Sequence, residues 1–185
     1  MRVLIVYGTS EGHTRELAHE AGHALSQAGY PTAVEPAGTD SGYPDPKPYD
    51  AAILAASLHV GRYQPALVAY ARAQHEALNA LPSAFVSVSL SAAGLNPEDW
   101  EGLEDSLARF QHETLWTPKA VHQAAGAIRF SQYDFFKRLV LKHIAAERGH
   151  RTVASRDYDL TDHAALQRFV LEFVEQGTKA PARRP

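Results

Sequence analysis

The stretch Val3-Leu4-Ile5-Val6-Tyr7-Gly8-Thr9-Ser10-Glu11-Gly12-His13-Thr14 decides the fold of this 185-residue chain. Its apolar beginning is typical of a parallel strand that is buried on both faces. A polar turn follows, and a helix is predicted from about Gly12 to Ala28, because apolar residues then recur at helical spacing until Gly29. A buried strand, a polar turn and a helix in this order predict the first unit of an α/β sheet.

The same alternation continues along the chain. Four more strands are predicted at 32–35, 51–56, 83–90 and 120–128, and four more helices at 65–79, 97–114, 133–147 and 162–176. Thr161 or Asp162 is expected to cap the last helix. This pattern predicts a parallel sheet with helices on both faces. In such sheets ligands bind beyond the carboxyl ends of the strands, where the strand order reverses.

Composition narrows the classes of function. A chain that is 45% hydrophobic and 21% charged is typical of one globular domain. The absence of cysteine excludes disulfides and thiolate chemistry, and a net charge of −3 argues against general nucleic-acid binding. There is no apolar run near the roughly 20 residues of a membrane span and no signal-peptide pattern. We therefore expect a cytoplasmic protein, and a peripheral position at the inner face of the cell membrane stays open.

The turn after the first strand carries the groups that a phosphate needs. It combines glycines and the free N–H groups of a helix start with three hydroxyls, those of Thr9, Ser10 and Thr14. It has no lysine, which excludes the Walker-type loop, and Gly8-x-x-x-Gly12 does not match the dinucleotide pattern Gly-x-Gly-x-x-Gly. Glu35 does stand where a ribose-binding acid would fall, and an ordinary capped helix turn is the other interpretation.

This turn resembles the phosphate loop of the flavodoxin family, which has the pattern Ser/Thr-x-Thr-Gly-x-Thr. Thr9, Gly12 and Thr14 match the pattern, whereas Glu11 replaces a Thr and brings a negative charge. The resemblance implies a flavodoxin-like, doubly wound, five-stranded parallel sheet of order 2-1-3-4-5 with FMN as cofactor. The cofactor-binding residues that it implies here are Thr9, Ser10, Glu11, Gly12, His13 and Thr14.

Three later segments resemble the menaquinone-dependent protoporphyrinogen oxidase branch of that superfamily. They are Ala55-Ala56-Ser57-Leu58-His59-Val60-Gly61-Arg62-Tyr63, Leu81-Pro82-Ser83-Ala84-Phe85-Val86-Ser87-Val88 and Ala125-Gly126-Ala127-Ile128-Arg129-Phe130. A helical insertion at about 130–150 also resembles that branch. The resemblance implies that two segments flank the isoalloxazine ring of FMN. Their residues are Ser57, Leu58, His59, Val60, Gly61, Ser89, Leu90, Ser91, Ala92 and Ala93.

The resemblance implies an FMN-dependent oxidoreductase of heme biosynthesis, which takes electrons from protoporphyrinogen IX and passes them to a quinone. We expect one domain over 1–177 and a disordered tail over 178–185. The catalytic side chains are unknown, and His59 and Arg129 are the polar residues to test first. A flavodoxin-like electron carrier without an organic substrate, and an interaction module that has lost flavin, remain alternatives.

Four other signals have both a functional and a structural interpretation. His19-Glu20-Ala21-Gly22-His23 matches a zinc-protease motif, but both histidines should face water on the first helix, so no metal site is expected.

Residues 129–156 hold seven Lys/Arg and two acids, which suits a membrane surface, a homodimer contact or packing within the domain. Acidic residues over 98–105 suit a solvated helix face or a basic redox partner. Tyr63 and Tyr133 either stack on a ligand or pack in the core.

Overall fold

A computed structural model describes residues 1–38, 42–94, 96–128 and 158–179 of the chain. Its strands are β1 Val3–Gly8, β2 Thr32–Pro36, β3 Ala51–His59, β4 Arg62–Tyr63, β5 Ser83–Ser89, β6 Ala120–Ala125, β7 Ala127–Ile128 and β8 Tyr158–Asp159. Its α-helices are α1 His13–Gln27, α2 Pro65–Ala80, α3 Pro97–Thr114 and α4 His163–Lys179, and a short 3-10 helix spans Ser91–Ala93.

The main sheet has the strand order β2-β1-β3-β5-β6, and every neighbouring pair on this path is parallel. Strand β4 turns back antiparallel on β3, and β7 pairs antiparallel with β8 in a separate ribbon. Because β1, β3 and β5 are central and covered on both faces, nearly all their residues are buried. The predicted order 2-1-3-4-5 is confirmed for the five parallel strands, but β4 makes the main sheet six-stranded rather than five-stranded.

The helices cover the sheet in two layers. Helices α1 and α4 pack on one face, where Leu17, Leu25 and Val170 are buried with Val3 and Ile5. Helices α2 and α3 pack on the other face, and the cluster there contains Leu4, Leu54, Leu67, Tyr70, Phe85, Phe110 and Trp116. Each layer buries the apolar stripe of its helices, as the spacing of these residues requires.

Three predicted boundaries need correction. The third strand does not end at residue 56 but runs to His59, because it continues into a hairpin with β4. The fifth strand does not run to residue 128, because Gly126 donates its N–H to the Ser89 carbonyl (2.9 Å) and the chain then leaves the main sheet. Helix α4 extends to Lys179, which is two residues into the predicted tail.

Several predictions fall outside the described residues. These are the helix at 133–147, the insertion at 130–150, the proposed roles of Arg129 and Tyr133, and residues 180–185 of the tail. In the part of the chain that the structure describes, no helix has both the length and the apolar character needed to cross a bilayer.

Candidate functional site

The three segments that the sequence singles out lie at one edge of the sheet. The chain leaves β1 for β2 on one side and returns to β3 on the other, so the strand order reverses beside β1. The registers align the strand ends, with Gly8 opposite Ala56 and Ser57 opposite Val88. The segments 9–14, 57–61 and 89–93 therefore all lie at the carboxyl ends of neighbouring strands.

The loop after β1 delivers a helix N-terminus to this edge. Gly12 precedes α1 with φ 90°, a left-handed conformation that favours glycine, and donates its N–H to Thr9 Oγ1 (2.9 Å). No side chain caps α1 at Gly12, and helix geometry leaves the first N–H groups without an intrahelical acceptor. Thr14, in the first turn, is 1% exposed. These donors and the positive end of the helix dipole suit an anion.

Two side chains from distant parts of the chain hold this loop in place. The Gln64 amide donates to Ser10 Oγ. His13 Nε2 lies 2.9 Å from Thr161 Oγ1, and the Thr161 hydroxyl donates to the Ala125 carbonyl at 2.7 Å. Since that hydroxyl has a single proton, it accepts a hydrogen bond from Nε2–H of His13, which fixes the histidine tautomer. The resemblance places His13 among the cofactor-binding residues, and the structure shows its side chain bridging α1 to Thr161, which is hydrogen-bonded to the end of β6.

A titratable cluster lies behind the loop. His163 Nδ1 is 2.6 Å from Glu20 Oε2, and this hydrogen bond raises the pKa of His163, with burial opposing it and Asp159 adding to it. Burial would raise the pKa of Asp159, but hydrogen bonds from Thr161 and His163 and the nearby His13 lower it below its ordinary value. Asp162, rather than Thr161, caps α4 by accepting the Ala165 N–H at 2.9 Å. The cluster joins the start of α4 to the middle of α1.

The segment 57–61 ends β3 and forms a hairpin tip. Ser57 is buried, and its Oγ has no hydrogen-bond partner among the described residues. Val60 and Gly61 both have positive φ, 48° and 70°, as in a two-residue type I′ turn. Val60 is 100% exposed. A buried hydroxyl without a partner usually indicates a missing hydrogen-bonding group, which in this segment suits a bound ligand.

The segment 89–93 is folded by its own hydrogen bonds. Ser89 is buried, and its Oγ accepts the Ala92 N–H at 3.1 Å, which bends the chain into the 3-10 helix. Leu90 and the three residues of the 3-10 helix are half-buried. Trp100, on α3, donates its indole N–H to the Gly94 carbonyl (3.1 Å) and is 42% exposed. Sequence reasoning did not place Trp100 beside this segment, because the link crosses from one element to the next.

Tyr63 is a core residue. It is buried between the rings of Phe85 and Phe110, with each pair of ring centroids 5.0 Å apart, and its hydroxyl lies 3.0 Å from Ser87 Oγ. Burial raises the pKa of Tyr63, while the hydrogen bond to Ser87 opposes that shift. The structural interpretation of Tyr63 is therefore the right one, and its position beside a ligand loop reflects its role as the anchor of the hairpin.

The histidine motif of α1 and the acidic residues of α3 lie at the surface. His19 and His23 are both exposed on α1, as the packing of the opposite helix face predicts. Within residues 1–38, 42–94, 96–128 and 158–179, no three His, Asp or Glu side chains are grouped so that they could hold a metal ion. The acidic residues of α3 are exposed or half-buried, which agrees with a solvated helix face.

Comparisons with known proteins agree with this architecture. The family model for the flavodoxin domain matches residues 4–155. The chain is 30% identical over 173 residues to protoporphyrinogen IX dehydrogenase (quinone) of Escherichia coli strain K12, covering 93% of this chain and 94% of the relative. It is 28% identical over 182 residues to the protein of the same name from Leishmania major, covering 98% and 78%.

Solved structures support the fold. A flavodoxin of Streptococcus pneumoniae TIGR4 superposes with a TM-score of 0.57 at 15% identity, covering 95% of this chain and 99% of the flavodoxin. A point mutant of a Pseudomonas aeruginosa flavodoxin superposes with a TM-score of 0.54 at 17% identity, covering 94% of this chain and 99% of the flavodoxin.

The buried Ser57 hydroxyl, the unpaired N–H groups at the start of α1 and the hydroxyls of the 9–14 loop together fit a phosphate-bearing cofactor. FMN is the cofactor that a flavodoxin domain implies. The chain therefore belongs to the flavodoxin-domain family and, within it, is similar to the protoporphyrinogen IX dehydrogenases (quinone).

Proposed function

We propose that this chain is an FMN-dependent oxidoreductase that takes electrons from a protoporphyrinogen-type substrate and passes them to a quinone. The observation that carries the proposal is the near full-length similarity to the Escherichia coli dehydrogenase, 30% identical over 173 residues. The site geometry is consistent with it, because three strand ends and one helix start meet where flavodoxin-like folds bind ligands. Such an activity would belong to heme biosynthesis.

In this proposal the loop after β1 holds the cofactor phosphate. The backbone N–H groups of His13, Thr14 and Arg15 would donate to phosphate oxygens, since they have no intrahelical acceptor. The hydroxyls of Thr9, Ser10 and Thr14 would add further donors. His13 itself would act indirectly, because its Nε2 is engaged with Thr161 and keeps the loop in shape. Glu11 brings a negative charge to the loop, so we expect a weaker affinity than with threonine there.

The segments 57–61 and 89–93 would flank the flavin ring, and the Ser57 hydroxyl would gain the partner that it lacks. FMN, when bound there, would supply the two-electron redox chemistry that connects the substrate to the quinone. The protein would contribute binding, orientation and exclusion of water. Leu58 and Leu90, both half-buried, are apolar enough to exclude water at the ring.

An electron carrier without an organic substrate is the second candidate. The exposed acidic residues of α3 favour it, because a carrier needs a charged surface on which a basic redox partner can dock. The two candidates differ in what the loaded protein does alone. An enzyme oxidises protoporphyrinogen with a quinone as the only other reactant, whereas a carrier transfers electrons only between two protein partners.

The first experiment is the visible absorption spectrum of the purified protein, as isolated and during titration with FMN. We expect flavin bands that co-purify or that shift on titration. The loaded protein should then convert protoporphyrinogen IX to its fluorescent porphyrin under anaerobic conditions when a menaquinone analogue is added. A protein that stays colourless and leaves the FMN spectrum unchanged would contradict the proposal. A protein that binds FMN but leaves protoporphyrinogen untouched would support the carrier.

A further inference from the structure

The tip of the β3–β4 hairpin holds a strained and fully exposed valine. In the described part of the chain, two non-glycine residues have positive φ, Val60 (48°) and Leu115 (60°). Leu115 ends α3: its N–H donates to the Gln111 carbonyl, and its own carbonyl accepts from Asn79. Val60 is β-branched, for which this conformation is a genuine outlier, and it is 100% exposed. Strain at an exposed apolar side chain points to a function rather than to folding.

Cationic and polar side chains surround this valine. His59 and Arg62 are cross-strand partners, so they share one face of the hairpin. Their neighbours Leu58 and Tyr63 face the core of α2 and α3, so His59 and Arg62 point to the other face, the one that Ser57 also occupies. Both residues are exposed.

A second guanidinium reaches the turn from α3. Arg109 Nη2 lies 3.4 Å from the Gly61 carbonyl and 3.2 Å from Ser106 Oγ. Arg62 and Arg109 therefore approach the tip from two faces of the hairpin. The ion pairs found among the described residues include neither of them, although Asp105 is one helical turn from Arg109. Both arginines can therefore pair with carboxylates supplied from outside.

We propose that the hairpin tip is the substrate subsite, where Arg62 and Arg109 bind carboxylates and Val60 contacts an apolar ring between them. The chemical class that fits is a large, flat, apolar molecule bearing carboxylate arms, such as a porphyrinogen with its propionates. This inference rests on the proposed function, which it deepens by assigning substrate recognition to named residues. The acidic residues over 98–105 lie in the first half of α3 and would repel such carboxylates, whereas Arg109, later in the same helix, brings a positive charge to the tip.

The test distinguishes the contribution of the carboxylates to binding from that of the apolar ring. Protoporphyrin IX and its dimethyl ester, each in the same neutral detergent micelles, are titrated with FMN-loaded protein while porphyrin fluorescence is followed. Wild type should bind the acid at least about tenfold more tightly than the ester. Arg62→Gln and Arg109→Gln should each weaken acid binding about three- to tenfold and change ester binding less than about twofold. Added salt should weaken acid binding alone.

Matched variants control for net charge and for strain. Arg168→Gln removes an exposed positive charge from α4 and should leave acid binding unchanged. Arg109→Lys keeps the charge without the planar guanidinium and should weaken acid binding less than Arg109→Gln does. Val60→Asn should weaken acid and ester alike, whereas Leu115→Asn, at the other positive-φ position, should weaken neither.

FMN binding is measured separately by quenching of flavin fluorescence, and it should match wild type in the arginine variants and in Leu115→Asn. Porphyrin binding by Val60→Asn is measured with FMN fully bound, because Val60 also belongs to the segment beside the flavin ring. If wild type binds no FMN, the proposed function itself fails. If wild type binds FMN but binds no porphyrin, or binds acid and ester equally, only the subsite is overturned. The same holds if Arg168→Gln weakens acid binding as much as the two tip variants do, because net charge would then explain the effect.

Discussion

The phosphate-side loop over 9–14 and the hairpin tip over 58–63 lie at the same edge of the sheet but are built in opposite ways. The loop is tied by hydrogen bonds to Gln64 and Thr161, and Thr14 is buried within it. The tip is anchored by one buried ring, Tyr63, and presents a strained side chain to solvent. The difference agrees with the two proposals above, in which backbone groups of the loop hold the cofactor phosphate and exposed side chains of the tip bind the substrate.

The anchor of the tip should give the largest effect. Tyr63→Ala removes a buried aromatic ring from contact with Phe85 and Phe110, which should lower the free energy of unfolding by about 3–5 kcal/mol. Tyr63→Phe leaves Ser87 without its hydroxyl partner and should cost about 1–3 kcal/mol. Urea denaturation followed by circular dichroism measures both. Tyr63→Phe should bind FMN normally, and a selective loss of FMN affinity with unchanged stability would instead make Tyr63 a ligand contact.

Two buried serines should respond with opposite signs. Ser57→Ala removes a hydroxyl that has no partner, so the protein without FMN should be as stable as wild type or slightly more so, while FMN affinity falls about three- to tenfold. Ser87→Ala breaks the bond to Tyr63 and should lower stability by about 1 kcal/mol without changing FMN affinity. Denaturation curves measure the stability of both variants, and FMN titrations measure their affinity for the cofactor. A stability loss in Ser57→Ala would mean that its hydroxyl already has a structural role.

Relieving the strain at the tip should stabilise the protein. Val60→Asn places a residue that tolerates positive φ in a type I′ turn and should raise the free energy of unfolding by about 1 kcal/mol. Leu115→Asn should raise the free energy of unfolding by less, because leucine is not β-branched and is less strained at positive φ. Thermal unfolding of the two variants beside wild type measures the difference. No gain in Val60→Asn would mean that the tip carries little strain, and the contrast with the loop would then rest on exposure alone.

The cluster of His163, Glu20 and Asp159 behind the loop should give the smallest effect, which appears only as a pH dependence of the free energy of unfolding. The pKa of His163 is raised above 6.5, so its stabilising contribution is complete below that pH and is lost as pH rises through the folded-state value. Because His163 is exposed and Glu20 is half-buried, solvent screens the pair, and we expect a contribution of well under about 1 kcal/mol. Subtracting the stability of His163→Gln from that of wild type at several pH values between about 6 and 9 isolates it.

His122 makes the subtraction necessary. Burial lowers its pKa, with Asp162 opposing, so its contribution is present above pH 6.5 and is lost as pH falls through the folded-state value. This trend runs against that of His163 and would mask it in wild type alone. A wild-type-minus-variant difference that stays constant across the range would show that His163 is not held in its charged form by Glu20.

Local patterns in the sequence predict much of this molecule. Buried strands such as β1 are continuous apolar runs, and Pro65 and Pro97 mark the first turns of α2 and α3, so the alternation of elements predicted a parallel sheet with helices on both faces. The strand order 2-1-3-4-5 came from the resemblance to flavodoxins. The hairpin at Val60-Gly61 gave no such signal, because its first turn position holds valine where asparagine or glycine is usual. The predicted third strand therefore ended too early.

The parts of the site that sequence reasoning missed depend on contacts between distant residues. Thr161 looked like a helix cap, but its hydroxyl joins His13 to the Ala125 carbonyl. Arg109 was not singled out in the sequence, and in the structure it reaches the Gly61 carbonyl, 48 residues away. No periodicity or motif records such pairs, because each residue alone has an ordinary local role. Only the folded backbone brings them together.

The bond between His13 and Thr161 spans 148 residues and therefore bears on how the protein is made. A chain emerging from the ribosome exposes His13 well before Thr161, which follows it by 148 residues. Until then the first loop lacks the support that its histidine receives in the finished fold. A nascent chain that stops before β8 should therefore hold flavin poorly, so cofactor loading should follow the synthesis of the segment that carries Thr161.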